Sequence, residues 1–235
     1  MAVARRAGVF ALAVIVAVCL SAGLQAAKMV RQGESYTNKT KLFQVTAPRG
    51  CGPLSLSYEV REANKKGAEF FEEVAFYIKD VGELYHAGVR RLSPVMRQKV
   101  QQTEGPLAPP QLGWLGLTLH LGAREKMTGA WKPVSFEDVQ TKHGPGVLSV
   151  NQVEGGRFLT VLQFEGGNLV PKPAPPALVV VLMIQNGEHL IYVTGQADAS
   201  GDLSKPENDS PACVQQKLRE MIESLTFSRP LPPPV

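Results

Sequence analysis

The side chains best suited to acid–base or metal chemistry are the four histidines, His86, His120, His143 and His189. None stands at a spacing used by a metal motif, and a protein zinc site takes at least three ligands. Glu83 and His86 would share a face only if their segment were helical. His120 and His189 lie in apolar runs and read as strand residues with satisfied hydrogen bonds. The chain has no GxSxG elbow, no HExxH and no P-loop. Glu72-Glu73 reads as a solvated edge rather than a glycosidase pair. No catalytic, cofactor-binding or metal residue is nominated.

Two other features invite a ligand. Trp114, Trp131, Tyr77, Tyr85 and Tyr192 could line a groove for a peptide, lipid or glycan, or serve as core and rim. The stretch VEGGRFLTVLQFEGG, Val153 to Gly167, repeats Glu-Gly-Gly. A phosphate-binding glycine loop leads a strand into a helix amino terminus. Here the glycines lead into another apolar segment, and Glu154 and Glu165 add negative charge. The repeat reads as two turns bounding one central strand. Asn38-Lys39-Thr40 matches an N-glycosylation acceptor in an exposed lead-in.

The amino terminus explains more. MAVARRAGVFALAVIVAVCLSAGLQAAK has basic Arg5 and Arg6, an apolar run from Val9 to Leu20 and small residues through Ala27, the layout of a secretory signal peptide. The alternative is an uncleaved anchor, although the apolar run falls short of the ~20 residues a spanning helix needs. Cys19 lacks the small preceding residue of a lipobox, since Val18 stands there. Loss of Arg5 and Arg6 brings the formal charge from +4 to +2, too weak a balance for a nucleic-acid partner. Export leaves Cys51 and Cys213 in an oxidising setting, where they can form one disulfide; two free thiols are the other possibility.

These residues need elements to hold them. Residues 28–41 form a polar lead-in; 42–228 form a single domain; 229–235, RPLPPPV, form a proline-rich tail. LFQVTAP alternates as the opening strand and LSLSYEVRE as the next. Residues 69–92 read as a hairpin around Asp80-Val81-Gly82, because Gly82 and Gly88 would each cost a helix about 1 kcal/mol; a helix with Phe70, Val74, Tyr77, Val81, Leu84 and Gly88 on one face is the alternative. Ser93-Pro94 starts a helix through Gln102, and LGWLGLTLHLG is a strand. Turns fall at Trp131-Lys132-Pro133 and His143-Gly144-Pro145, with a short helix over Ser135 to Thr141. GVLSVNQV and RFLTVLQF pair across Glu154-Gly155-Gly156, and PKPAPP is an extended connector.

LVVVLMIQ and EHLIYVTG flank Asn186-Gly187, the preferred pair for a type I′ hairpin. That turn predicts Gln185 opposite Glu188, Ile184 opposite His189, Leu182 opposite Ile191 and Val180 opposite Val193. These strands are apolar on both faces, which predicts a sheet buried on both sides. VQQKLREMIESLTF places Val214, Leu218, Met221, Ile222 and Leu225 on one helical face. The fold class expected is α+β: a mainly antiparallel sheet covered by helices, with the C-terminal amphipathic helix packed on it.

LFQVTAPRG, GGRFLTVLQF, LVVVLMIQNGEHLIYVTGQAD and the closing VQQKLREMIESLTF together resemble the PsbP-like fold, which includes the DcrB-type envelope proteins. The resemblance spans Leu42 to Phe227. It departs at Pro48-Arg49-Gly50-Cys51, where the family's turn carries an aromatic, and over Glu69 to Pro133. It implies a binding or assembly module without transferable catalytic residues. The expected function is an exported, non-enzymatic envelope protein, periplasmic or extracellular, that binds or scaffolds an envelope protein or lipid without any cofactor. A secreted hydrolase or a small-ligand or lipid carrier is the alternative.

Overall fold

The structure, a computed structural model, describes residues 28–49, 57–78, 82–92, 131–153, 160–165, 168–173, 177–198 and 210–232. In chain order the strands are β1 (Lys28–Arg31), β2 (Ser35–Thr37), β3 (Phe43–Thr46), β4 (Ser57–Lys65), β5 (Phe71–Ile78), β6 (Gly82–Arg91) and β7 (Trp131–Thr141). Then follow β8 (Gly144–Val153), β9 (Thr160–Glu165), β10 (Asn168–Pro173), β11 (Ala177–Asn186), β12 (His189–Asp198), helix α1 (Pro211–Ser224) and β13 (Thr226–Phe227).

Eight strands form one antiparallel sheet in the order β1-β4-β5-β6-β12-β11-β8-β7. Its amino-terminal and carboxy-terminal halves meet at the β6–β12 ladder. One face carries the main core: Tyr58, Val74, Phe76, Ala87, Val193, Leu182 and Leu148 lie in one cluster. Helix α1 presses Val214, Leu218, Met221 and Ile222 into that cluster. It packs on β11, β12 and β3, the last being the middle strand of a small sheet in the order β13-β3-β2.

Position 195 explains how closely the helix approaches. A Cβ there would fall 2.5 Å from Val214 Cγ1 and 3.1 Å from the Tyr85 ring, so only glycine fits. The amino terminus of α1 is capped by Ser210, whose Oγ accepts from the Cys213 N–H at 3.3 Å, and Pro211 follows in the first turn. The helix ends where Leu225 leaves helical geometry and Thr226-Phe227 join β3.

The opposite face of the sheet is also dry: Val179, Val181, Met183, Leu190, Tyr192 and Thr194 are all buried. Burial on both sides is what the unbroken apolar strands demanded. The expectation that helices provide the cover is corrected, because α1 is the one α-helix among the described residues and the domain is mostly antiparallel sheet. Apolar residues on both faces require two covers but do not specify their kind.

Several local expectations change for similar reasons. Residues 28–41 contribute β1 and β2, which pair with β4 and β3 and bury Val30 and Tyr36 in the core. Ser135–Thr141 is strand, and Trp131–Pro133 is its beginning rather than a turn. As the outermost strand of the sheet among the described residues, β7 tolerates Pro133, and a register shift between Pro133 and Ser135 leaves Val134 exposed. Among the described residues β9 pairs with β10, outside the eight-stranded sheet, and Pro171 and Pro173 belong to β10 rather than to a connector. The hairpin of 69–92 forms as expected, with Ile78 opposite Gly82. The leader, Cys51, Trp114, His120, the 93–102 helix, LGWLGLTLHLG and both Gly-Gly pairs lie outside the described residues.

The β11–β12 hairpin forms where Asn-Gly predicted it, but its register differs. Asn186 pairs with His189, Ile184 with Ile191 and Leu182 with Val193. Gly187 at φ +57 is therefore the first central turn residue, a position that suits a II′ turn rather than I′. Each partner moves by two residues, so every side chain keeps its face.

Candidate functional site

Three polar residues meet on the buried second face, at the β5–β6–β12 junction. The ladders place Glu73 opposite Gly88 and Gly88 opposite Tyr192. With no side chain at position 88, the Tyr192 ring crosses β6 and its hydroxyl donates to Glu73 Oε1. A Cβ at Gly88 would stand 2.6 Å from that hydroxyl oxygen. His86, one alternation away, brings Nε2 to 3.7 Å from Glu73 Oε2 and sets its ring edge-on to Tyr192 at 6.1 Å. Glu73, His86 and Tyr192 are 8%, 6% and 0% exposed.

This arrangement is a carboxylate with one hydroxyl donor and an imidazole in reach. Its chemistry is internal: the hydroxyl solvates the carboxylate, and a proton on His86 would convert the 3.7 Å contact into an ion pair. Along the same face Asn151, fully buried, donates to Ser149 Oγ at 3.1 Å and to the Val179 carbonyl at 3.4 Å.

The neighbouring carboxylate goes the other way. Successive strand residues point to opposite faces, so Glu72 enters the core side while Glu73 enters the second face. Glu72 accepts from Asn38 Nδ2 at 2.6 Å and from the Thr40 hydroxyl. The pair is thus buried on both sides of the sheet, not a solvated edge, and cannot act as two carboxylates flanking one bond. Strand parity was the signal in the sequence.

The same contacts redefine Asn38. It is 2% exposed, and its Oδ1 accepts from the Leu42 and Phe43 amides at 2.8 and 3.1 Å. With both ends engaged, the sequon is a loop lock rather than an exposed acceptor. Beside it, Glu62 accepts from the Lys39 amide at 2.8 Å and from the Tyr36 hydroxyl. Burial, then Glu62, hold the Tyr36 phenol well above its ordinary range.

The remaining histidines are separate. His143, in the β7–β8 turn, lies 2.9 Å through Nε2 from the Leu225 carbonyl and packs on Phe227. Burial pushes its pKa down despite that bond. His189 is buried beside Phe70 and Arg91, and burial followed by the Arg91 charge lowers its pKa. No group of three or more potential metal-ligating side chains occurs among the described residues. Of the aromatic candidates, Tyr85 and Tyr192 are core, and Tyr77 lies under Arg61 at 3.9 Å, so they form no common groove. No described helix is long and apolar enough to cross a membrane.

Neither a protein-family model nor a curated protein matches this chain. Among solved structures it is similar to a cyanobacterial PsbP protein from Synechocystis, at 10% identity, over 87% of this chain and 95% of that one, with a TM-score of 0.43.

Proposed function

We propose that this chain is an exported, non-enzymatic protein of a bacterial envelope whose sheet domain binds or scaffolds another envelope component. The observation that carries this reading is where the titratable side chains go. Glu73, His86 and Tyr192 are each under 10% exposed, Tyr192 donates to Glu73 while His86 packs against both, and Glu72 is spent on the Asn38 loop. They stabilise a rigid platform instead of facing a substrate. The leader, MAVARRAGVFALAVIVAVCLSAGLQAAK, supports export.

Within this reading Cys51 and Cys213 form a disulfide. A chain of contacts supports it: Pro48 accepts from the Tyr58 hydroxyl at 3.1 Å, Tyr58 packs on Tyr85, and Tyr85 abuts Gly195 beside Val214. Cys51 follows Pro48 by three residues, a reach of about 10 Å. Alkylation without reductant should leave both thiols unlabelled; labelling of both removes the disulfide from the account.

Crosslinking in native membranes followed by purification of the full chain tests the function. A reproducible partner, lost when the platform is destabilised, is the expected result. Hydrolysis of a small ester or glycoside by the pure protein, abolished in His86→Gln, would overturn it in favour of a secreted hydrolase. Mass measurement of the exported chain should give a start at Ala27 or Lys28.

A further inference from the structure

At one end of the core face the β6–β12 ladder makes Arg91 the partner of His189. Arg91 is 4% exposed and its guanidinium ties two segments together. Nη1 donates to the Gly67 carbonyl at 3.0 Å, and Nη2 donates to the Pro232 carbonyl at 3.2 Å. Pro232 belongs to the run after β13, which is also held where the Ser228 amide donates to Leu42 O at 2.9 Å and where Leu231 packs on the core. The beginning of the proline-rich tail is therefore strapped to the domain.

His189 shares that rim. It is 7% exposed, its ring meets Phe70 edge-on at 5.9 Å, and Nε2 has no hydrogen-bond partner. The charged groups facing it are Arg91 from β6 and Glu188 from the preceding turn, while Phe70 brings none. A proton on the ring adds a second positive charge beside a buried guanidinium, where low dielectric makes repulsion strong.

We propose that His189 and Arg91 form a pH-operated latch on the C-terminal segment. With His189 neutral, Arg91 holds Pro232. With His189 protonated, the two cations move apart and Arg91 releases Pro232, loosening the proline-rich segment beyond Ser228 into an extended, ligand-like stretch. Of the two carbonyls, Pro232 yields first because the Gly67 turn is braced directly at the contact, where Phe70 N–H donates to Gly67 O and Arg91 N–H donates to Phe70 O, whereas the hydrogen bonds that hold the C-terminal segment lie further back, at Ser228.

The test follows amide hydrogen exchange at Ser228 and Leu231 together with the His189 ring signal in the full mature chain, from about pH 7.5 to about pH 5. After correction for intrinsic exchange, protection should fall roughly tenfold with the midpoint of His189. His189→Gln should flatten the transition, and His143→Gln should preserve it. Should His189→Gln fail to fold, the comparison of midpoints in the unmodified chain decides. A transition that follows His143, unchanged protection while His189 titrates, or a ring that stays neutral until unfolding would each overturn the latch.

Discussion

Tyr192 reaches Glu73 because position 88, between them on β6, carries no side chain. Gly88→Ala would put a methyl 2.6 Å from the Tyr192 oxygen and 2.9 Å from the Glu72 carbonyl oxygen, and should destabilise the domain by about 1–3 kcal/mol in urea unfolding. Tyr192→Phe removes the hydroxyl and leaves a buried carboxylate poorer by one donor, a loss of about 1–3 kcal/mol. Adding Glu73→Gln should then cost much less than it does alone, since the two changes break one interaction; additive losses would mean that Tyr192 and Glu73 are not coupled. Little of this was legible beforehand. Glu72-Glu73 looked solvated because the reading used their charge and neighbours, whereas strand parity sends them to opposite faces and the partners lie 34 and 119 residues away.

Helix α1 was legible because its apolar positions recur at the helical period and its surroundings ask only for that face. Leu218, fully buried against the sheet, should cost about 2–5 kcal/mol on truncation to Ala. Gly195→Val should be at least as damaging as a one-methylene overpacking, about 1–3 kcal/mol, because its methyls would meet Val214 and Tyr85. A stable Gly195→Val variant with an unshifted urea midpoint would refute the close approach of α1 to β12. Strands were less legible. Asn-Gly located the β11–β12 turn but not which two residues occupy its centre. β7 was hidden because an edge strand accepts proline, a bulge and exposed charges that imitate turn and helix signals. Its Glu137 bonds Arg219 of α1 at 2.7 Å, a half-exposed pair of small energetic weight.

For the molecule as a whole, His143 and His189 point to one pH response. Both are held below the ordinary imidazole value by burial, so between that value and their folded values the unfolded chain binds more protons. Stability is then fully present above about pH 6.5 and declines as pH falls through the window below it. Urea midpoints at about pH 7.5 and about pH 5.5 should show the decline, and a rise would contradict the assignment. His143→Gln and His189→Gln should each remove part of it. The sequence by itself determined the helix, the 177–198 hairpin and the dryness of both sheet faces, since period, turn residues and apolar runs are local properties, whereas over 69–92 helix and hairpin competed until the β5–β6 ladder decided. Tertiary structure alone decided the strand order, the packing of α1 on β11, β12 and β3, and the meeting of Glu73 with Tyr192. Those depend on which distant backbones pair, and a side chain's partner across a sheet is set by the ladder and not by its neighbours in the chain.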